Sequence, residues 1–462
     1  MAASQRSARI QRAPEWGIEP VPPELRRLGF LDQAVLWGNL GVSLLVLVAG
    51  ALLVPALGLW PALAATVVGA AIGNALLGLA AVPAAETGVP AMVLYRAPLG
   101  VRGSLVPTAC NVVQNLGWAT FELFVIATAA TAISERVLGF GGRPLWVLVF
   151  GLVATAMAVA GPLTVLRRWL ERFAIWAVLA STAYLTWYAL ARFDLGRLAD
   201  QPGQGGLSFW AGVDLAIALP ISWVPLVADY ARFGRSAGAT FWGTGIGYLL
   251  AQVWFFALGV LFLLGIGQGD VIAAVLAVPV GLLAMAVLVV DETDEVFANL
   301  YSAGVSLKNA APRLPGRRVV LAFGAVATLL AILVDDLARY ENFLFLLGAL
   351  FVPLFGVLAA DWYVLARRRY DVDAMYRADG PYRGVRWLAM LVWLLGFLVY
   401  NWINPGTVTA WVSLVEGLLG GLLNLPFPLS ARLPWLGASV PAFLVAFLAM
   451  LAVGRRRGRE GT

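Results

Sequence analysis

Apolar stretches of about twenty residues recur along almost the whole 462-residue chain. Each is as long as a helix must be to cross the hydrocarbon core of a bilayer. A chain built this way folds inside a membrane, where backbone hydrogen bonds must close within helices or barrels. The expected class is therefore an all-α membrane protein. Only 13% of residues are charged, about half the fraction usual for a soluble domain. No long stretch has ordinary globular composition, so no separate soluble domain is expected.

Breakers between the runs give twelve expected spans: 32–57, 61–82, 104–133, 144–161, 170–191, 209–231, 239–266, 281–307, 318–334, 342–365, 386–403 and 435–454. A short amphipathic helix near 409–423 is expected at the surface before the last span. The first 27 residues are basic and Pro-rich and lack an apolar run, so they read as a cytosolic tail and not as a cleaved signal. The expected divisions are a tail over 1–31, a transporter core over 32–365, and a C-terminal part over 366–462. The core falls into halves of about 32–191 and 209–365.

Charge orients the spans. With both ends inside, 26 of the 32 Lys and Arg fall in inward-facing segments, Arg96, Arg102, Arg232 and Lys308 among them. The six on the other side are Arg136, Arg143, Arg192, Arg197, Arg339 and Arg432. Such a bias sets topology, and it predicts an inner-membrane protein with both termini cytoplasmic. It also leaves no Lys or Arg in the middle of any span. The positive charge is loop arginine, not a basic face, so no nucleic-acid partner is expected. There is no His and one cysteine, Cys110, which excludes an internal disulfide and a Cys/His zinc site.

Against that background the intramembrane acids stand out, since each costs about 2.5–3.5 kcal/mol at mid-bilayer and is normally kept for function. In span 3, Trp118 and Glu122 are four residues apart and share a helix face with Asn111 and Asn115. An indole stacks on a flat ring, and a carboxylate accepts N–H donors from its edge. The bland alternative is a protonated Glu122 packed against a neighbouring helix. In span 6, Pro220 and Pro225 flank Ser222 and Trp223, which predicts either a broken helix at a binding site or a simple kink. Asp214, nearer the outer end, reads equally as a vestibule residue or an interfacial one.

Span 1 gathers Asn39, Gly41 and Ser43 in one third of its length, a composition that permits an unwound stretch whose carbonyls hold a cation. In span 8, Asp291, Glu295, Asn299, Ser302 and Ser306 make one polar stripe, with Glu292, Thr293 and Asp294 beside it. Four acids in a run usually mark a solvated loop. Here the preceding apolar run of ten residues is too short to span alone, so the helix is expected to continue through the acids.

These residues, with GIEPVPPELRR (17–27), TGVPAMVLYRAPLGVRG (87–103) and ADWYVLARRRYD (360–371), give a chain that resembles the nucleobase:cation symporter-1 family of cytosine, purine, hydantoin and allantoin permeases. The resemblance implies twelve transmembrane helices in a LeuT-like five-plus-five inverted repeat, with helices 1 and 6 interrupted and two extra C-terminal helices. It implies that Trp118 and Trp223 sandwich the ring, that Glu122 and Asn299 bond its edge, and that Ser222 lies alongside. It places the cation or proton site at Leu40, Gly41 and Ser43 with Thr293 and Asp294, leaving Asp214, Asp291 and Glu295 as vestibule or coupling residues.

Two departures are visible. Glu122 stands where the family often has an amide, which favours a substrate with several N–H donors or a positive charge. Asp294 stands where a hydroxyl is usual, so a proton can replace sodium as the coupling ion. No cofactor is expected beyond that H+ or Na+, and the partners are the bilayer and a small heterocycle. The resulting expectation is a symporter for a nucleobase-like heterocycle, not an enzyme. The rivals are a symporter of the same fold for an amine or amino acid, and an intramembrane enzyme using Asp291, Asp294 and Glu295 to hold magnesium pyrophosphate.

Overall fold

The computed structural model describes residues 17–160, 175–267, 270–334, 339–377 and 379–460, the last six of these by backbone alone. Most of the expected tail, and Arg167, Arg168 and Arg172 of the charge count, lie outside the described residues. The described chain is helical, and its only β contact is an isolated bridge between Leu28 and Gly234.

The first apolar run forms two helices, α1 (Phe30–Leu40) and α2 (Leu44–Ala51), bent by 61° at the break. Long helices follow as α3 (Leu59–Thr87), α4 (Leu105–Leu138), α5 (Arg143–Ala160) and α6 (Ile175–Arg192). The second half holds α7 (Phe209–Ala231), α8 (Ala237–Ile266), α9 (Gly281–Asp291), α10 (Thr293–Ala310), α11 (Gly316–Leu333) and α12 (Tyr340–Ala359). After these come α13 (Trp387–Ile403), α14 (Thr409–Glu416) and α15 (Ser439–Glu460). Seven described helices are long and apolar enough to cross a bilayer singly, and the bent α1–α2 pair makes eight. α6, the α9–α10 pair, α13 and α15 occupy the other expected spans. The surface helix expected near 409–423 is α14 with the π-helical turn that extends it to Leu422.

Small residues set the packing. On α3, Gly69 and Gly73 are four apart and lie on α7: a Cβ at Gly69 would sit 2.5 Å from the Val213 carbonyl, and one at Gly73 2.4 Å from the Pro220 ring. Gly259 of α8 meets the Leu47 carbonyl of α2 in the same way, at 2.1 Å. In a membrane no water is expelled between helices, so such close backbone approach is a main source of association.

Two expectations need correction. Helix 6 is not interrupted. α7 runs unbroken through Pro220 and Pro225, and a neighbouring side chain replaces the donor that Pro220 removes. Pro220 cannot bond the Ala216 carbonyl, and Gln252 Nε2 of α8 donates to that oxygen at 2.6 Å. Gln114 Nε2 of α4 donates to the Ser222 carbonyl at 2.9 Å, and Asn111 Nδ2 to that of Pro225 at 3.2 Å. Span 8, expected as one helix, has instead a turn at Glu292 between α9 and α10.

A buried polar knot closes the end of α4 and α10. Arg96, 6% exposed, donates to Asn309 Oδ1 at 2.7 Å and to the Met375 carbonyl at 3.0 Å. Asn309 in turn donates to Ser104 and Thr108 of the α4 start, at 3.0 and 2.9 Å. The loop sequence YRAPLG thus spends its arginine on structure, tying the α3–α4 connection to the segment after α12.

Candidate substrate and cation site

The break in the first span follows from Gly41 and Ser43. Ser43 is extended and its hydroxyl caps α2, accepting from the Leu45 and Val46 amides at 3.1 and 3.4 Å. Gly41 lies against α8, where a Cβ would come within 2.8 Å of Ala251 Cβ. The acids of span 8 lie across this break. Glu292 accepts from the Leu44 amide at 2.5 Å, from the Ser43 hydroxyl at 2.9 Å and from the Leu45 amide at 3.4 Å. Asn39 Nδ2 of α1 donates to Asp294 Oδ2. All five side chains from Asp291 to Glu295 are at most 4% exposed, so none belongs to a solvated loop.

Beside the break lies a small cavity of about 10 Å³, near the room one water needs. Ser43, Trp118, Leu219, Trp223, Tyr248 and Glu295 are among its walls. Both tryptophans are 6% exposed. Trp223 Nε1 donates to the Tyr248 hydroxyl at 3.0 Å, and its ring meets Trp37 edge-on at 5.6 Å. Trp118 packs edge-on to Tyr340 and Phe343 of α12 at 5.9 and 5.3 Å. Each indole is therefore held by other rings, with one side left to the cavity.

Glu122 is fully buried and accepts from Asn299 Nδ2 at 2.8 Å. The same amide donates to the Glu295 carbonyl at 3.1 Å. Further along the α4–α10 seam Asn111 Nδ2 donates to Ser306 Oγ at 2.7 Å. The two polar stripes read from the sequence are one interface.

Other expected residues lie elsewhere or turn away. Ser222 donates its hydroxyl to the Leu219 carbonyl of its own helix at 2.6 Å, and Thr293 donates across the turn to the Val290 carbonyl of α9 at 2.7 Å. Leu40 is buried beside the break and offers only backbone. The Asp214 carboxylate takes the amides of Ala438 and Ser439 at 2.6 and 2.9 Å and so caps α15. Asp291 is buried with neither oxygen hydrogen-bonded. The residues that the sequence did not assign a role are Glu292, Tyr248, Gln114 and Gln252. A tyrosine or glutamine within an apolar run carries no periodic signal of its partner.

Comparison with known proteins agrees with this architecture. Residues 20–424 match the family model described as permeases for cytosine/purines, uracil, thiamine and allantoin. The hydantoin permease of Microbacterium maritypicum is 25% identical over 443 residues, covering 90% of this chain and 88% of the relative. The cytosine permease of Escherichia coli K12 is 29% identical over 366 residues, 76% of this chain and 80% of the relative. Among solved structures, inward-facing Mhp1 superposes with a TM-score of 0.78 at 22% identity, covering 97% of this chain and 95% of that one. A Na+-coupled sialic acid symporter gives 0.65 at 12% identity, over 96% and 92% of the two chains. The fold is thus the expected inverted-repeat membrane fold, and the chain belongs to the family of permeases for cytosine/purines, uracil, thiamine and allantoin.

Proposed function

We propose that this permease imports a nucleobase-like heterocycle of the cytosine, purine or aminopyrimidine class, driven by inward flow of H+ or Na+. The ring lies between Trp118 and Trp223, with Glu122 and Asn299 at its edge and Ser222 contributing backbone. The coupling cation belongs at the break of the first span, among the Leu40 and Gly41 carbonyls, Ser43, Thr293 and Asp294. Its binding favours the substrate-ready state by differential affinity. The two halves, about 32–191 and 209–365, rock against one another, and 366–462 forms a flanking pair of helices with a cytosolic tail. The protein sits in the inner membrane with both termini cytoplasmic, a reading supported by 26 of 32 basic residues on one side.

The observation that carries this reading is the single cavity bordered by two tryptophans and a glutamate at the helix break. Amino-acid symport on the same fold needs no paired indoles. Support for the substrate class comes from relatives that carry cytosine and hydantoin. The test is uptake of labelled cytosine, adenine and hydroxymethylpyrimidine into vesicles holding the purified protein, with pH and sodium gradients imposed separately. Accumulation under one gradient is expected. Uptake of none of them under either gradient rejects the substrate class.

A further inference from the structure

The preceding reading leaves the ring chemistry open, and two carboxyls narrow it. Glu295 borders the cavity, is 4% exposed, and has no hydrogen-bond partner for Oε1. Glu122 lies beside it, fully buried, with Oε1 taken by Asn299, Oε2 without an amide or hydroxyl donor, and its carboxyl within hydrogen-bonding reach of that of Glu295. Asn299 fixes the pair, since one amide group bonds the Glu122 side chain and the Glu295 carbonyl. The neighbouring acids Glu292 and Asp294 are already engaged by span 1. No Lys or Arg lies in the middle of an expected span to neutralise either carboxyl.

We infer that Glu295, together with Glu122, selects a heterocycle with an amidine edge, a ring nitrogen next to an exocyclic amino group, and holds it as an amidinium–carboxylate pair. This rests on the heterocycle-transport reading and deepens it. An amidinium presents two parallel N–H donors, the fork geometry with which guanidinium meets carboxylate. The proton balance is simple. If the carboxyl enters protonated, its proton passes to the ring nitrogen, and the N–H bond formed replaces the O–H bond broken. If the ligand arrives protonated, nothing moves. An amidine edge therefore fits either state of the glutamate. A lactam edge, as in uracil or hydantoin, puts a carbonyl oxygen against the carboxyl and fits only while that carboxyl keeps its proton. Facing an ionised carboxylate, the lactam is repelled, which is how a site rejects a near-isostere.

The experiment is isothermal titration of the purified wild-type protein with matched pairs, cytosine against uracil and adenine against hypoxanthine. Each amino member is expected to bind about tenfold or more tightly than its lactam counterpart. In Glu295→Gln this preference should shrink by about tenfold, through weaker binding of the amino ligands, tighter binding of the lactams once the repelling charge is gone, or both. Glu122→Gln is the second variant, read the same way should the first be poorly folded. Equal or tighter binding of uracil and hypoxanthine to the wild type overturns the inference and leaves heterocycle transport standing. An amino preference untouched in both variants overturns the assignment to these residues. Monodisperse wild type that binds none of the four ligands overturns the inference, and only absent uptake of hydroxymethylpyrimidine as well rejects the heterocycle reading.

Discussion

Glu292 accepts the Leu44 amide at 2.5 Å, so a carboxylate from the turn in span 8 closes the first turn of the helix after the break in span 1. The orphan amides of a helix start need acceptors, and a buried anion there also meets the positive end of the helix dipole. The two helix breaks are thereby one unit. Removing the carboxylate leaves the Leu44 amide and the Ser43 hydroxyl short of a partner where no bulk water reaches.

Glu292→Ala is expected to destabilise the protein by about 1–3 kcal/mol, the usual penalty for orphaned buried donors. Glu292→Gln keeps one acceptor oxygen and should recover much of the loss. Thermal unfolding of the detergent-purified variants checks both. An alanine variant as stable as the wild type means that the contact contributes little.

Trp223→Ala and Trp118→Ala should each weaken substrate binding by about 1–3 kcal/mol, the range for one aromatic face lost from a stacked base. Trp223→Phe keeps a face but loses the bond to Tyr248, so it should fall between. Calorimetric titration with cytosine measures all three. Unaltered affinity in both alanine variants removes the stacking site.

The unbroken α7 yields a double-mutant test. Gln252 donates to the carbonyl that Pro220 leaves without its amide. Gln252→Leu should therefore lower the unfolding temperature, by a loss of about 1–3 kcal/mol. Adding Pro220→Ala restores a backbone donor to the same oxygen. The combined loss should be smaller than the sum of the two single losses by about 0.5–3 kcal/mol, the range for directly coupled residues. Strict additivity would show that the glutamine does not stand in for the proline.

Span order and the polar faces of α4 and α10 were readable from spacing, because periodicity reports which face a helix buries, whereas composition only permitted the Asn39–Ser43 break and the family resemblance implied it. Trp118 and Glu122 of α4, and Glu295 and Asn299 of α10, could be put on those faces before any coordinates. The continuity of α7 could not. Two prolines five apart predict lost donors, but the donor that stands in for that of Pro220 comes from Gln252, 36 residues from the Ala216 carbonyl and on another helix. The capping role of Asp214 was hidden for the same reason. Its partners, the amides of Ala438 and Ser439, are 224 and 225 residues away in sequence. A lone acid near a helix end reads alike whether it faces a vestibule or caps a distant helix. Glu292 was visible as one of four acids, yet periodicity ranked it below its neighbours because it lies off the polar stripe.

The close crossing of α3 and α7 supplies the last prediction. A Cβ at Gly73 would stand 2.4 Å from the Pro220 ring and 3.2 Å from the Ile217 backbone, well inside contact. Neither a proline ring nor a helix backbone swings aside as a flexible side-chain end does. Gly73→Ala must push α3 away from α7, and overpacking of this kind costs about 1–3 kcal/mol. α7 carries Trp223 one turn further along, so the displacement reaches the cavity. The variant should unfold at lower temperature and bind cytosine more weakly, whereas Gly238→Ala, where a Cβ meets nothing within 4 Å, should match the wild type in both. Binding and unfolding measured on the two variants side by side check this, and equal behaviour would mean that the α3–α7 crossing is looser than its geometry implies.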